Sequence, residues 1–136
     1  AWWAGEVNKD GSPNGFLVVD VKGDDVKWHY KATGRDLNYQ FRVYKPGDFA
    51  TQPSYLVVNY WDWDTRCQVK WYEDGVLKGA MEQFQDEDQD YITMKGEASG
   101  YRTLHLFRAT PSAGTKNITI EVTNRFGEVY TENVSI

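Results

Sequence analysis

Short runs of alternating apolar and polar residues, each ended by turn residues, extend along almost the whole chain. In the run "NITIEVT", Ile118, Ile120 and Val122 alternate with polar residues, which is the pattern of a strand that buries one face. Turn sequences such as Asp74-Gly75 separate the runs, and no stretch shows the period of a helix. We therefore expect an all-β fold, a two-sheet antiparallel β-sandwich of roughly eight or nine strands and of the immunoglobulin or fibronectin-III-like kind.

Two hairpins are predicted within this pattern. The runs "GFLVVDV" and "VKWHYKAT" flank turn residues 22–25, and "YLVVNYWDW" and "CQVKWY" flank turn residues 64–66. A tryptophan of the second hairpin, Trp61 or Trp71, is expected in the core of the sandwich. Residues 85–101 are expected to form a long acidic loop.

A break in the strand pattern after residue 45 suggests how the chain is divided. Lys45-Pro46-Gly47-Asp48 interrupts the runs, and loop residues continue to residue 54. We place residues 1–45 in an N-terminal β-hairpin region and residues 46–136 in a C-terminal β-sandwich domain. Because the chain starts with Ala1 and not with methionine, we expect it to be a piece of a longer protein.

Several classes of function are disfavoured by the residues present. The net charge is -5 and no basic cluster occurs, so we expect no nucleic-acid partner. No apolar run approaches the ~20 residues of a membrane span. His29 and His105, the two histidines, lie in no metal-ligand spacing, and no serine–histidine–aspartate set or phosphate loop is found. We therefore assign no catalytic and no metal-binding residue, and expect no complete enzyme.

Two aspartates and two tryptophans form the most unusual short stretch, "WDWD". On a strand, Asp62 and Asp64 would emerge on one face, where they could bind a cation or a substrate. With Trp61 and Trp63 they could instead bind a sugar, so a carbohydrate-binding or adhesion module with a glycan partner is the alternative function. Against both, turn aspartates often bond their own backbone and tryptophans are highly buried on average, which favours a structural role.

A second acidic stretch, "DEDQD" at residues 86–90, begins like a calcium-binding loop. It lacks the glycine that such a loop carries at its sixth position, where Tyr91 stands. We therefore expect a solvated acidic loop here and not a calcium site.

Three blocks of sequence together resemble a known family. "AWWAGE", followed by "DGSPNGFLVVDVKGDDVKWHYKATG" and "YQFRVY", resembles the segment after the last metal motif in a group of bacterial calcineurin-like phosphoesterases. "NYWDWDTRCQVKWYEDG" and "HLFRATPSAGTKNITIEVTNRFGEVYTE" resemble the C-terminal β-domain of the same proteins. The blocks occur in the same order and span nearly the whole chain.

The resemblance implies that the chain is the non-catalytic C-terminal domain of a larger metallophosphoesterase, a hydrolase. The divalent metals would be bound upstream, by motifs such as Asp-x-His, Gly-Asn-His and Gly-His-x-His that do not occur in this sequence. The chain itself would hold no cofactor. Through an intramolecular contact it would scaffold the catalytic domain or shape access to the metal pocket, in a periplasmic or extracellular protein.

The resemblance also implies candidate residues for the substrate rim or the domain contact. Trp2, Trp3, Asp10 and Asn14 would follow the last metal motif directly, so they are our candidates. A stand-alone enzyme is the third hypothesis, and it predicts that this chain alone turns over a phosphoester with added divalent metal.

Overall fold

The computed structural model describes residues 5–136, so Trp2 and Trp3 lie outside the described residues. Within that range no helix is long and apolar enough to cross a membrane. The elements of the described chain, in order, are β1 (Gly15–Lys22), β2 (Asp25–Ala32), β3 (Arg42–Tyr44), β4 (Leu56–Asn59), β5 (Gln68–Glu73), β6 (Val76–Ala80), β7 (Glu82–Asp86), α1 (Gln89–Lys95), β8 (Thr103–Ala109), β9 (Asn117–Thr123) and β10 (Val129–Ser135).

Two four-stranded antiparallel sheets form the body of the described chain. One sheet has the strand order β10-β9-β5-β6 and the other β3-β4-β8-β7. Their inner faces share one core, to which Val69 and Ile120 contribute from the first sheet and Leu56 and Phe107 from the second. The predicted two-sheet antiparallel β-sandwich is therefore confirmed, while its immunoglobulin or fibronectin-III-like kind stays a prediction.

Strand alternation builds this core. Ile118, Ile120 and Val122 of β9 are fully buried, as their alternation predicts. Trp71 lies on β5, an inner strand, and is also buried, so a tryptophan of the second hairpin does lie in the core. Burial of each such aliphatic side chain stabilises the fold by about 1.5–3 kcal/mol.

The chain changes sheets between β6 and β7. The strand β6 pairs with β5, whereas β7 pairs with β8 in the other sheet. Met81, between them, is buried and donates its amide hydrogen to the carbonyl of Val69 at 2.9 Å. The run "VLKGAMEQF" is therefore two strands, and the crossing closes one side of the sandwich.

The residues before position 46 contribute to two different sheets. The predicted first hairpin is present: β1 and β2 form a two-stranded antiparallel sheet of their own, with Lys22 opposite Asp25 at its tip. The strand β3, which also lies before the predicted boundary near residue 45, pairs with β4 as an edge strand of the sandwich.

A short helix replaces part of the predicted loop at residues 85–101, and that prediction is wrong for residues 89–95. The Asp88 carboxylate accepts hydrogen bonds from the amides of Asp90 and Tyr91 at the start of α1, and Gly96 ends it with φ 73°. Because α1 has seven residues and buries only Tyr91, it is too short to show a helical period.

The strand predicted to run to Trp63 ends earlier. The strand β4 stops at Asn59, and a turn follows in which the Trp63 amide donates to the Tyr60 carbonyl at 3.3 Å. The expectation that Asp62 and Asp64 lie on a strand is therefore wrong, because the chain has already left the sheet.

Candidate functional site

A mostly buried polar cluster joins the loop at residues 8–14 to the sheet β3-β4-β8-β7. Its side chains come from the loop, from β3, β4 and β8, and from the residue before α1, so five separate parts of the chain meet here. We call this cluster the polar junction and define it as Asp10, Arg42, Tyr44, Asn59, Asp88 and His105.

The carboxylate of Asp88 is the centre of the polar junction and is fully buried. Its Oδ2 accepts hydrogen bonds from the Tyr44 hydroxyl and from Asn59 Nδ2, both at 2.8 Å, while its Oδ1 caps α1. These donors compensate for the loss of water around a buried charge. Burial and the nearby Asp88 charge raise the pKa of Tyr44 well above its ordinary value, so its hydroxyl remains a donor.

His105 lies between two acceptors in the polar junction. Its Nδ1 is 2.6 Å from Asn59 Oδ1, and its Nε2 is 3.3 Å from Asp10 Oδ2. Because a carboxylate and an amide oxygen only accept, both bonds form when both ring nitrogens carry hydrogen. Burial raises the pKa of Asp10, but hydrogen bonds from His105 and Ser12 outweigh it and lower the value to about 2. Asp10 is therefore an anion that is hydrogen-bonded to the imidazole of His105.

Gly11 allows the loop to approach this closely. Its φ is +80°, and a Cβ at this position would overlap Asp88 Cγ and Asn59 Nδ2. The backbone on either side is held as well: Arg42 donates to the Gly11 carbonyl at 2.8 Å, and Asn59 donates to the Asp10 carbonyl at 2.9 Å. The loop is thus fixed to the sandwich through both backbone and side chains.

A cleft of about 440 Å³ lies beside the loop. Asn14, one of the predicted rim residues, forms part of its wall and donates to the Gly5 carbonyl at 2.8 Å. In the lining, Arg42 Nε pairs with Asp90 Oδ2 at 2.9 Å. The positive charge of Arg35 is balanced by the negative charge of Glu6, so the lining favours neither an anion nor a cation. The lining residues are Glu6, Val7, Pro13, Asn14, Thr33, Arg35, Tyr39, Arg42 and Asp90.

Asp62 and Asp64 do converge, but on Arg125, whose side chain is 4% exposed. Arg125 Nε donates to Asp64 Oδ2 at 2.7 Å, and its terminal nitrogens donate to the carbonyl and carboxylate of Asp62. The guanidinium lies 4.9 Å from the ring centre of Trp28 on β2. Hydrogen bonds from Arg66 and Arg125 hold the pKa of Asp64 far below its usual range. Through Arg125, the two aspartates therefore help to hold together three segments that are distant in sequence: residues 62–64, the strand β2 and the turn that contains Arg125.

Trp61 and Trp63 also pack within the protein. Trp61 is buried against Tyr39, with ring centres 5.1 Å apart, and its Nε1 has no hydrogen-bond partner. Trp63 is half-buried and meets Phe107 edge-on at 5.9 Å. Stacking on a sugar needs exposed ring faces, so nothing in the arrangement of these two tryptophans favours the carbohydrate-binding alternative.

The three aspartates of residues 86–90 are each used by a different part of the fold. Asp86 pairs with Arg102 and accepts from the Thr51 hydroxyl, Asp88 is the buried centre of the polar junction, and Asp90 pairs with Arg42. The prediction of a solvated loop is therefore wrong for Asp88, because its side chain caps α1 and is buried in the hydrogen-bond network of the polar junction.

Neither histidine forms part of a metal-ligand group. His29 pairs with Glu128 at 2.8 Å, and His105 is engaged in the polar junction. Across residues 5–136, no group of three or more histidine, cysteine, aspartate or glutamate side chains is placed to share a metal ion.

Several residues of these clusters, among them Asn59, Asp88, Arg42 and Arg125, were missed by reasoning from sequence. Asn59 follows three apolar residues in the short strand β4, and a polar residue that ends such a run signals a buried group in need of partners. Asp88 and Gly96 flank α1 as typical capping residues. The sequence around Arg42 and Arg125 does not indicate their contacts. Arg42 binds Gly11, which lies 31 positions away, and Arg125 binds Asp62, which lies 63 positions away.

The family model described as "C terminal of Calcineurin-like phosphoesterase" matches residues 1–130 of the chain. The match includes the β1–β2 hairpin, the polar junction and nearly all of the sandwich. Comparison with curated proteins and with solved structures gives no match.

Proposed function

The chain belongs to the family of C-terminal domains of calcineurin-like phosphoesterases, and on this premise we propose that it is a non-catalytic domain that scaffolds the catalytic domain of a larger metallophosphoesterase. The observation that carries the proposal is the family match, which spans residues 1–130 and so covers the hairpin as well as the sandwich. We call the larger protein the parent.

The use of the titratable side chains supports the absence of catalysis in this domain. A general base must come within hydrogen-bond reach of a substrate proton. The His105 side chain is 14% exposed and both its nitrogens face partners within the protein, while Asp88 is fully buried. In this proposal the divalent metals of the parent are bound by its upstream domain and not by this chain.

The cleft supports the second part of the proposal, that the domain shapes access to the metal pocket of the parent. Asn14 lies on the cleft wall, and the adjoining loop is fixed through Gly11 and Asp10 to the sandwich. A fixed loop beside an open cleft provides a firm edge to a pocket that the upstream domain would complete. Export of the parent to the periplasm or the exterior is part of the same proposal and can be tested by cell fractionation.

The experiment compares the 136-residue chain with the parent. Hydrolysis of p-nitrophenyl phosphate and bis(p-nitrophenyl) phosphate is measured with Mn²⁺ and with a chelator. We expect metal-dependent turnover by the parent, and from the isolated chain a rate equal to the metal blank. Saturable, metal-dependent turnover by the isolated chain would show that the domain is catalytic and overturn the proposal.

A further inference from the structure

The β1–β2 hairpin carries an exposed apolar surface. The register places Leu17 opposite Tyr30, Val19 opposite Trp28 and Val21 opposite Val26, and directly opposed residues of an antiparallel pair share one face. Every residue on this face is therefore apolar or aromatic. We define the hairpin face as its four well-exposed members: Leu17 (56% exposed), Val19 (54%), Val21 (64%) and Val26 (44%).

The sandwich covers only part of this side of the hairpin. Trp28 packs edge-on against Phe126 at 4.9 Å, and the Tyr30 hydroxyl donates to the Pro13 carbonyl, so part of β2 is held. The strand β1 has no sheet neighbour besides β2 among the described strands. A two-stranded hairpin is only marginally stable in water unless its apolar face packs against something. The hairpin face thus lacks the cover that its composition requires.

The opposite side of the hairpin has a different character. Near its base this side carries Phe16 and Val18, which are 55% and 36% exposed. Towards the tip, Asp20 faces Lys27 and Lys22 faces Asp25, which are charged pairs suited to water. An exposed apolar patch of a few hundred Å², bordered by charged residues, is typical of an interaction site in a soluble protein. Towards its tip the hairpin therefore has one charged side, suited to solvent, and one apolar side, suited to a partner.

We infer that the hairpin face is the surface by which this domain docks on the catalytic domain of the parent, an inference that rests on the proposed function. The family description makes the chain a C-terminal part, so the catalytic domain precedes it, and β1 is the first strand among the described residues. The polar junction fixes the loop that leads into β1, and Thr33, just after β2, is bonded back to Asn14 at 2.8 Å. The hairpin is thus held firmly at its base, as a docking element must be.

The size of the hairpin face favours a tethered domain over a second copy of the chain. Four half-exposed aliphatic residues offer a few hundred Å², roughly half of the ~800 Å² per partner that a stable interface between free proteins uses. A covalent linker supplies a high effective concentration, so a tethered domain docks stably on a smaller patch. The catalytic domain is therefore the occupant to which we commit.

Two valines with matched exposure allow a direct test. Val21 on the hairpin face is 64% exposed, and Val76 at the start of β6 is 65% exposed. The variants Val21→Cys and Val76→Cys are made in the isolated chain and in the parent, and thiol alkylation is followed by peptide mass spectrometry. The unsubstituted proteins give the background from Cys67. Thermal melts of the isolated variants establish that both remain folded, and Leu17→Cys serves as a second probe of the hairpin face.

We expect equal alkylation rates for the two sites in the isolated chain. In the parent, Val21→Cys and Leu17→Cys should react at least about tenfold more slowly, while Val76→Cys is unchanged; tenfold corresponds to ~1.4 kcal/mol of docking free energy. Protection of Val76→Cys alone would overturn the inference while leaving a domain contact in place. Equal rates at all sites in the parent would overturn it as well.

Two further results separate this inference from the proposed function. Protection of Val21→Cys in the isolated chain that grows with protein concentration would identify a second copy as the occupant and refute docking on the catalytic domain. The scaffold role itself is judged separately, by whether the catalytic domain melts at a lower temperature when the parent is truncated before this chain. A lower melting temperature without protection at the hairpin face would retain the scaffold and reject the hairpin as its contact.

Discussion

The clearest test of the structural role of Asp62 and Asp64 is to remove the guanidinium between them. Arg125→Met keeps an unbranched apolar side chain in place of the arginine methylene groups, but it removes the guanidinium together with its hydrogen bonds to both aspartates and its contacts with Trp28 and Phe126. Two carboxylates then face each other without the buried cation between them, and only the exposed Arg66 still pairs with Asp64. We expect the free energy of unfolding to fall.

The size of the loss follows from burial. Removal of one partner from a buried ion pair costs about 3–5 kcal/mol. The side chains of Asp62 and Asp64 are 16% and 29% exposed, so water can partly replace the arginine, and we expect a loss of about 2–3 kcal/mol. For a domain of this size that lowers the melting temperature by roughly 6–12 °C.

The matched control is Arg66→Met. Arg66 also binds Asp64 Oδ2 at 2.7 Å, but its side chain is 63% exposed, and exposed ion pairs contribute little to stability. Thermal and urea unfolding of the isolated chain at pH 7, followed by circular dichroism, measures both variants. If Arg125→Met melts at the same temperature as Arg66→Met, the proposal that Asp62 and Asp64 stabilise the fold by binding the buried Arg125 is refuted.

Three further predictions concern the polar junction. Asp88→Ala should lower the free energy of unfolding by about 2–4 kcal/mol in urea titrations, because it removes a helix cap and leaves buried donors unpaired; a loss below ~1 kcal/mol would contradict the buried network. Gly11→Ala should be more destabilising than Gly34→Ala by at least ~1 kcal/mol, since both have positive φ but only at position 11 does a Cβ meet other atoms; equal losses would show that the loop is not closely packed. Because the folded-state pKa of Asp10 is lowered from 3.8 to about 2, its stabilisation is present above pH ~4 and is lost as the pH falls through 2. Asp10→Asn should therefore cost about 1–2 kcal/mol at pH 5 and progressively less towards pH 2, and a difference from the unsubstituted chain that does not change with pH would contradict this.

The sheet architecture could be predicted because its signals are local. The alternation of Ile118, Ile120 and Val122 fixes which side of β9 is buried, whatever the rest of the chain does. The tip of the first hairpin is likewise encoded in adjacent turn residues, and Gly23 takes the positive φ of 61° that the turn requires.

The clusters of side chains could not be predicted in the same way. The sequence identifies Asp62 and Asp64 as a pair, but their partner Arg125 lies about sixty positions away, and nothing near it in the sequence indicates the contact. His105 stands in an alternating strand and reads as an ordinary position, although Asn59 and Asp10 bind its two nitrogens. Such networks depend on which strands become neighbours, and that is settled by the whole fold.

The measurement that tests the central claim most directly is the melting temperature of the catalytic domain in the parent and in a parent truncated before this chain. Calorimetry with bound divalent metal resolves the unfolding of the catalytic domain in both proteins. If this chain is a scaffold, truncation lowers that melting temperature while some metal-dependent hydrolysis survives below it. An unchanged melting temperature together with unchanged kcat and KM would contradict the account.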